Sequence, residues 1–174
     1  MLRSDKMEIQ IKRITTSSQA DLVAGLAKTI WYDHYSPIIG KDQVDYMLGK
    51  YQTSKAIQTQ MEQEGNFYYL IHYEFVPVGY IGIIEKNHEL FLSKLYVLSS
   101  VRGKGIGHKA IDFLVARCRE IGAPHINLTV NKQNESSIAA YEKLGFEIYG
   151  EVVSDIGSGY VMDDYLMRLK VNPR

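Results

Sequence analysis

With a single cysteine, Cys118, the chain has no internal disulfide available, and it suits a reducing cytosol. Charge of either sign is not in excess. Twenty Lys and Arg stand against twenty Asp and Glu, so no overall field draws the chain to nucleic acid or to a membrane surface. No apolar run is long enough to span a bilayer, and the opening MLRSDKMEIQIKRI lacks the apolar core of a signal peptide. Met7 is an alternative start that would leave the first six residues as a tail. The histidines His34, His72, His88, His108 and His125 show no metal-ligand spacing, so no metal site is expected. Repeats, low-complexity tracts and linkers are missing too. The expectation is one cytoplasmic domain over residues 1–174, acting on neither nucleic acid nor membrane.

Hydrophobic periodicity then supplies the elements. Glu8 to Ile14 alternates as a short strand. Ser18 with Asp21 resembles a capping box, and Leu22, Leu26 and Ile30 line one helical face until Pro37 and Gly40 end it. Two shorter helical pieces come next, carrying Val44, Leu48 and Tyr51, then Ile57 and Met61 up to Gly65. NFYYLIHYE, VGYIGIIEK and ELFLSKLYVL are rich in β-branched and aromatic residues and read as three consecutive antiparallel strands. Ile106, Ala110, Leu114, Cys118 and Ile121 recur at helical spacing, with Gly122 and Pro124 after them. Cys118 sits on that stripe as core. His125 to Val130 is a strand, Asn134 suits a helix N-cap, and FEIYGEVV with YVMDDYLMRLKV closes the chain as a hairpin. The order predicts an α/β fold with a mixed sheet.

The richest segment is VRGKGIGHKAIDFLV, Val101 to Val115, in which three glycines and the basic residues Arg102, Lys104 and His108 lead into an apolar-striped helix. Glycines admit close backbone approach, and amides at a helix start favour phosphate. A nucleotide P-loop needs G-x-x-x-x-G-K-[ST], which does not occur. Gly105 to Ala110 matches a dinucleotide G-x-G-x-x-A, but the next strand ends in Val130-Asn131-Lys132 without the acid that would hold a ribose. A third pattern uses more of the chain. Arg102 to Gly107 fits R/Q-x-x-G-x-G/A, Asn134 to Tyr141 fits N-x-x-[AS]-x-x-x-Y, and Leu144-Gly145-Phe146 comes directly after.

In these three elements and their order the chain resembles the GNAT superfamily of N-acetyltransferases, well over Asn66 to Lys170 and loosely over the helical stretch before it. The resemblance implies a mixed, mostly antiparallel sheet flanked by helices, with a splayed central strand pair. It divides the domain into a variable substrate side, residues 8–65, and a cofactor-binding core, residues 66–170. Acetyl-CoA is the implied co-substrate. Leu95, Tyr96 and Val97 would pair with its pantetheine, and Arg102, Gly103, Lys104, Gly105, Ile106, Gly107 and His108 would cradle its diphosphate. Asn134, Ser136, Ser137, Tyr141 and Lys143 complete the cofactor set.

Acetyl transfer to an amine needs a base, a stabilised oxyanion and a proton for the departing thiolate. Tyr141 is the implied acid; Glu85 and Glu89 are candidate bases. Asp163 and Asp164 alternate faces in the last strand, so one points to the cleft, and Asp163 is assigned to the substrate side with Trp31, Tyr32, His34 and Tyr35. The implied function is acetylation of a primary amine of a small molecule, similar to bacterial polyamine-type enzymes. Protein or peptide N-acetylation and a non-catalytic acyl-CoA-binding module are the alternatives. The resemblance favours a homodimer.

Overall fold

Apolar residues crowd β2 (Asn66–Tyr73) and β3 (Val76–Lys86) almost without a break, as strands covered on both faces require. The computed structural model describes residues 8–173; the alternative start at Met7 and the outer limits of the expected domain lie outside them. Seven strands form one sheet. To the two above are added β1 (Ile9–Arg13), β4 (Glu89–Val97), β5 (His125–Asn131), β6 (Glu147–Gly157) and β7 (Tyr160–Lys170), in the spatial order β1-β2-β3-β4-β5-β7-β6. All neighbouring pairs are antiparallel except β4 with β5.

Alternation along the strands sorts side chains into two cores. Tyr68, Leu70 and Tyr80 face α1 (Ser17–Ile39), α2 (Lys41–Tyr51) and α3 (Ser54–Met61), against Val23, Ile30, Trp31, Val44 and Ile57. Tyr69, Ile71, Ile81 and Leu90 face the other way, against Ile106, Ala110, Leu114 and Cys118 of α4 (Ile106–Ile121). That confirms the apolar stripe and the packing role of Cys118, which is fully buried. The last helix, α5 (Glu135–Lys143), starts at the expected cap, Asn134.

Two local expectations change. The capping box of α1 is Thr16 with Gln19: the Thr16 hydroxyl accepts the Gln19 amide at 3.2 Å, and the Gln19 side chain accepts the Thr16 amide at 3.1 Å. Ser18 and Asp21 already lie in or beyond the first turn. Pro37 does not end the helix. It removes one amide donor near the C-terminus, and the chain stays helical until Gly40, at φ 84°, turns it into α2.

Gly79 lets β3 approach β4 closely. A Cβ there would lie 2.3 Å from the Tyr96 carbonyl oxygen and 3.1 Å from the Val97 Cα, both backbone atoms that cannot swing aside. Gly79→Ala is therefore expected to cost about 1–3 kcal/mol, seen as a lower denaturant midpoint at unchanged m-value.

Candidate active site

The pairing of β4 changes twice along its length. Against β3, Leu92 pairs with Ile83 and Lys94 with Gly82, so Ser93 is an extra residue, its Oγ donating to the Gly82 carbonyl at 3.0 Å. This bulge inverts the alternation. Leu90 and Leu92 point into the α4 core, while Lys94 and Tyr96 point to the α1 side. Against β5 the strand pairs only at Leu90–Ile126 and Phe91–Asn127; beyond these the two strands part. Leu98 donates its amide to the Val78 carbonyl of β3 at 2.8 Å, so the amides of Val97 and Leu95 turn toward the opened gap.

A cavity of about 440 Å³ fills this gap and is walled by α1, α2, β4, β5, α5 and β7. Leu95, Tyr96, Val97, Arg102, Gly107, Asn134, Ser136, Ser137, Tyr141, Trp31, His34 and Tyr35 all line it. The fold thus gathers these expected residues from segments more than a hundred positions apart. The rings form a connected wall: Trp31 meets Tyr35 and Tyr96 edge-on at 5.5 Å, and the Tyr35 and Tyr96 hydroxyls are 3.1 Å apart. Asn134 accepts from the Ser137 amide at 3.4 Å as the α5 cap, and its Oδ1 lies 3.0 Å from His34 Nε2, which ties α1 to α5. Burial pushes the Tyr141 phenol well above its ordinary value, so it stays a proton donor at neutral pH.

The glycine loop lies at the end of β4. Gly103 and Gly105 have φ of 77° and 79°, a left-handed backbone that glycine adopts without strain, and no side chain caps the first turn of α4. A Cβ at Gly103, Gly105 or Gly107 would meet nothing within 4 Å. The open face of backbone amides, flanked by Arg102 and Lys104, suits the diphosphate of coenzyme A. The cavity reaches the loop at Arg102 and Gly107. Ile106 turns into the core, and His108 lies in the first turn of α4 without lining the cavity.

Other expected residues fall elsewhere. Glu85 is gripped by Arg117 of α4, with Nε–Oε1 at 2.5 Å and Nη2–Oε2 at 2.9 Å, and Glu89 is exposed at the β3–β4 turn; neither carboxylate lines the cavity. The pairing end of β4, where they sit, is the closed end of the gap. Tyr32 turns to α2 and donates to Asp45. Lys143 is exposed at the end of α5. Asp163 faces away and pairs with Lys132 at 3.1 Å. Its neighbour takes the inward place: Asp164 is only 8% exposed, lines the cavity, and its buried Oδ1 has no hydrogen-bond partner among the described residues. Burial first, and Asp163 second, push its carboxyl up to about 6. Lys94 is the other residue that reasoning from sequence misses, since plain alternation would put it in the core.

The acetyltransferase (GNAT) family matches residues 30–146, which include the parted strands, the loop, Asn134 and Tyr141. The chain belongs to this family. It is an acetyl-CoA-dependent N-acetyltransferase. This GNAT enzyme is 24% identical over 156 residues to the peptidyl-lysine N-acetyltransferase YjaB of Escherichia coli, covering 88% of the chain and 93% of the relative. To the uncharacterized N-acetyltransferase YjgM of Escherichia coli it is 34% identical, over 49% of the chain and about half, 53%, of that protein's length. Its fold resembles the PaiA N-acetyltransferase of Thermoplasma acidophilum, solved in complex with coenzyme A, with a TM-score of 0.80 at 17% identity over 94% of this chain and 99% of that one.

Gly107 has ordinary helical geometry and open space before it, so a carboxylate can be placed in the loop without backbone strain. Gly107→Glu is expected to weaken coenzyme A binding about a hundred-fold, roughly 3 kcal/mol, with thermal stability nearly unchanged. Calorimetric titration checks this, and unaltered affinity would show that the diphosphate lies elsewhere.

Proposed function

We propose that the enzyme acetylates the primary amine of a small molecule by direct attack in a ternary complex, with Asp164 as base and Tyr141 as acid. The observation that carries this reading is the buried, unpartnered Asp164 carboxylate sharing one enclosed cavity with Tyr141. When bound, acetyl-CoA supplies an acyl group activated as a thioester. Asp164 accepts a proton from the incoming ammonium, and a carboxyl near 6 is ionised enough at neutral pH to do so. The Val97 amide, turned into the gap, donates to the acyl oxygen as negative charge grows there. Tyr141 gives its phenolic proton to the departing sulfur. Trp31, Tyr35 and Tyr96 keep water from the reacting amine. No protein nucleophile is needed, and Cys118, buried in the other core, is out of reach.

A second reading has one observation in its favour: the similarity to a relative named for peptidyl-lysine acetylation. A peptide lysine carries a backbone behind its amine and a small molecule does not, so thiol release with small amines against lysine peptides separates the two.

Asp164→Asn is expected to lower kcat about 10²–10⁴-fold while acetyl-CoA still binds. In the unaltered enzyme kcat/KM should fall as pH drops through about 6, because Asp164 then gains its proton and can no longer accept one. That acid limb should vanish in Asp164→Asn and persist in His34→Gln, His34 being the other wall residue whose protonation changes on the acid side, its imidazole lowered from the ordinary value by burial. Tyr141→Phe should lower kcat about 10²-fold or more with acetyl-CoA affinity kept, and an unchanged rate would remove Tyr141 from the chemistry.

A further inference from the structure

Lys94 is a charged residue on the cavity wall that the acetyl-transfer chemistry leaves without a task. The bulge at Ser93 turns it away from the α4 core and toward α1, where it lines the cavity beside Tyr96. Among the described residues its ammonium has no hydrogen bond and no ion pair; its one contact of note is the Tyr68 ring, whose centroid lies 5.6 Å from Nζ. Burial alone pulls the Lys94 ammonium down to about 8. A lysine retained only to pack against Tyr68 would be served as well by methionine, without the cost of holding a charge in an apolar wall.

Asp164 stands in the same position with the opposite sign. It lies on β7, two strand steps from β4 across β5, and no ion pair joins it to Lys94. One cavity is thus lined, on separate walls, by a carboxylate with an unpartnered oxygen and by a lysine without an ion pair. Neither neutralises the other, and each pays for its burial until something of opposite charge arrives.

We infer that the acceptor is an amino acid: its amine goes to Asp164 and Tyr141, and its carboxylate is held by Lys94. This rests on the acetyl-transfer reading and names its substrate class. It also departs from the polyamine-type expectation, because a second ammonium in this cavity would meet Lys94 and Arg102 rather than an acid. Binding such a zwitterion satisfies both walls at once, whereas a plain amine leaves Lys94 uncompensated.

The test compares acceptors that differ only at the far end. Thiol release from acetyl-CoA is measured with α- and ω-amino acids, with their carboxamides, and with diamines of the same length. The carboxylates should be preferred in kcat/KM by about ten-fold or more, mostly through KM. Lys94→Met should bring that ratio close to one with acetyl-CoA affinity intact, and Lys94→Arg should keep it. Equal or better use of the amides or diamines overturns the inference, as does a carboxylate preference that survives in Lys94→Met. Calorimetry of the amino acids with the coenzyme A-bound protein gives a readout free of turnover. Carboxylate binding that depends on Lys94, with no thiol release from any acceptor, would overturn the Asp164–Tyr141 chemistry and with it the acceptor role of the amino acid, while the carboxylate site at Lys94 would stand. Release that ignores Lys94 would do the reverse.

Discussion

Two residue pairs, Leu90–Ile126 and Phe91–Asn127, are all that hold β4 to β5, and the functional architecture depends on the pairing stopping there. A strand that parts from its neighbour exposes amides that must find another partner. Among the described residues no strand pairs with Leu95 to Val97 on that side, so an extended ligand can complete the sheet in place of a strand. The parting has a physical cause in the same strand. A bulge bends and twists β4 at Ser93, just after the last pair with β5, and directs the C-terminal half of the strand away from its parallel partner. Gly79 then keeps β4 pressed on β3, so the divergence opens on one side only.

Burial does the rest of the electrostatic work. In open water Asp164, Lys94 and the tyrosines would have ordinary proton affinities. Here an apolar wall raises the carboxyl and the phenols and lowers the ammonium. Those shifts all weaken charge: the carboxyl and the ammonium move toward neutral pH, and the phenols stay protonated there. Carboxylates that the fold pairs, such as Glu85 with the Arg117 guanidinium, are removed from such use.

Much of this is legible in the residue order. The loop, the Asn134 cap and Tyr141 are local patterns, each specified within a few consecutive residues, and strand and helix order comes from periodicity. The features that stay hidden depend on register. Asp163 and Asp164 alternate faces, but which one turns inward is decided by the register of β7 against β5, where Asp164 stands opposite Asn131. Lys94 is hidden for the same reason, since one extra residue in β4 exchanges the two faces. Glu85 looks free in the sequence because its partner sits on α4, thirty-two residues on. Pro37 looks like a helix stop, yet a proline near a helix C-terminus removes a single hydrogen bond, which packing of Ile30 and Trp31 outweighs.

The bond between His34 and Asn134 joins side chains a hundred positions apart in the chain. During synthesis the first helices emerge with their aromatic wall facing nothing, and α5 and β7, which close it, appear near the end. The cavity is therefore the last feature of the molecule to come into being. Until then the cavity side of Trp31, Tyr35 and Tyr96 lies open, and a growing chain halted before Asn134 holds one wall of a cavity that does not yet exist.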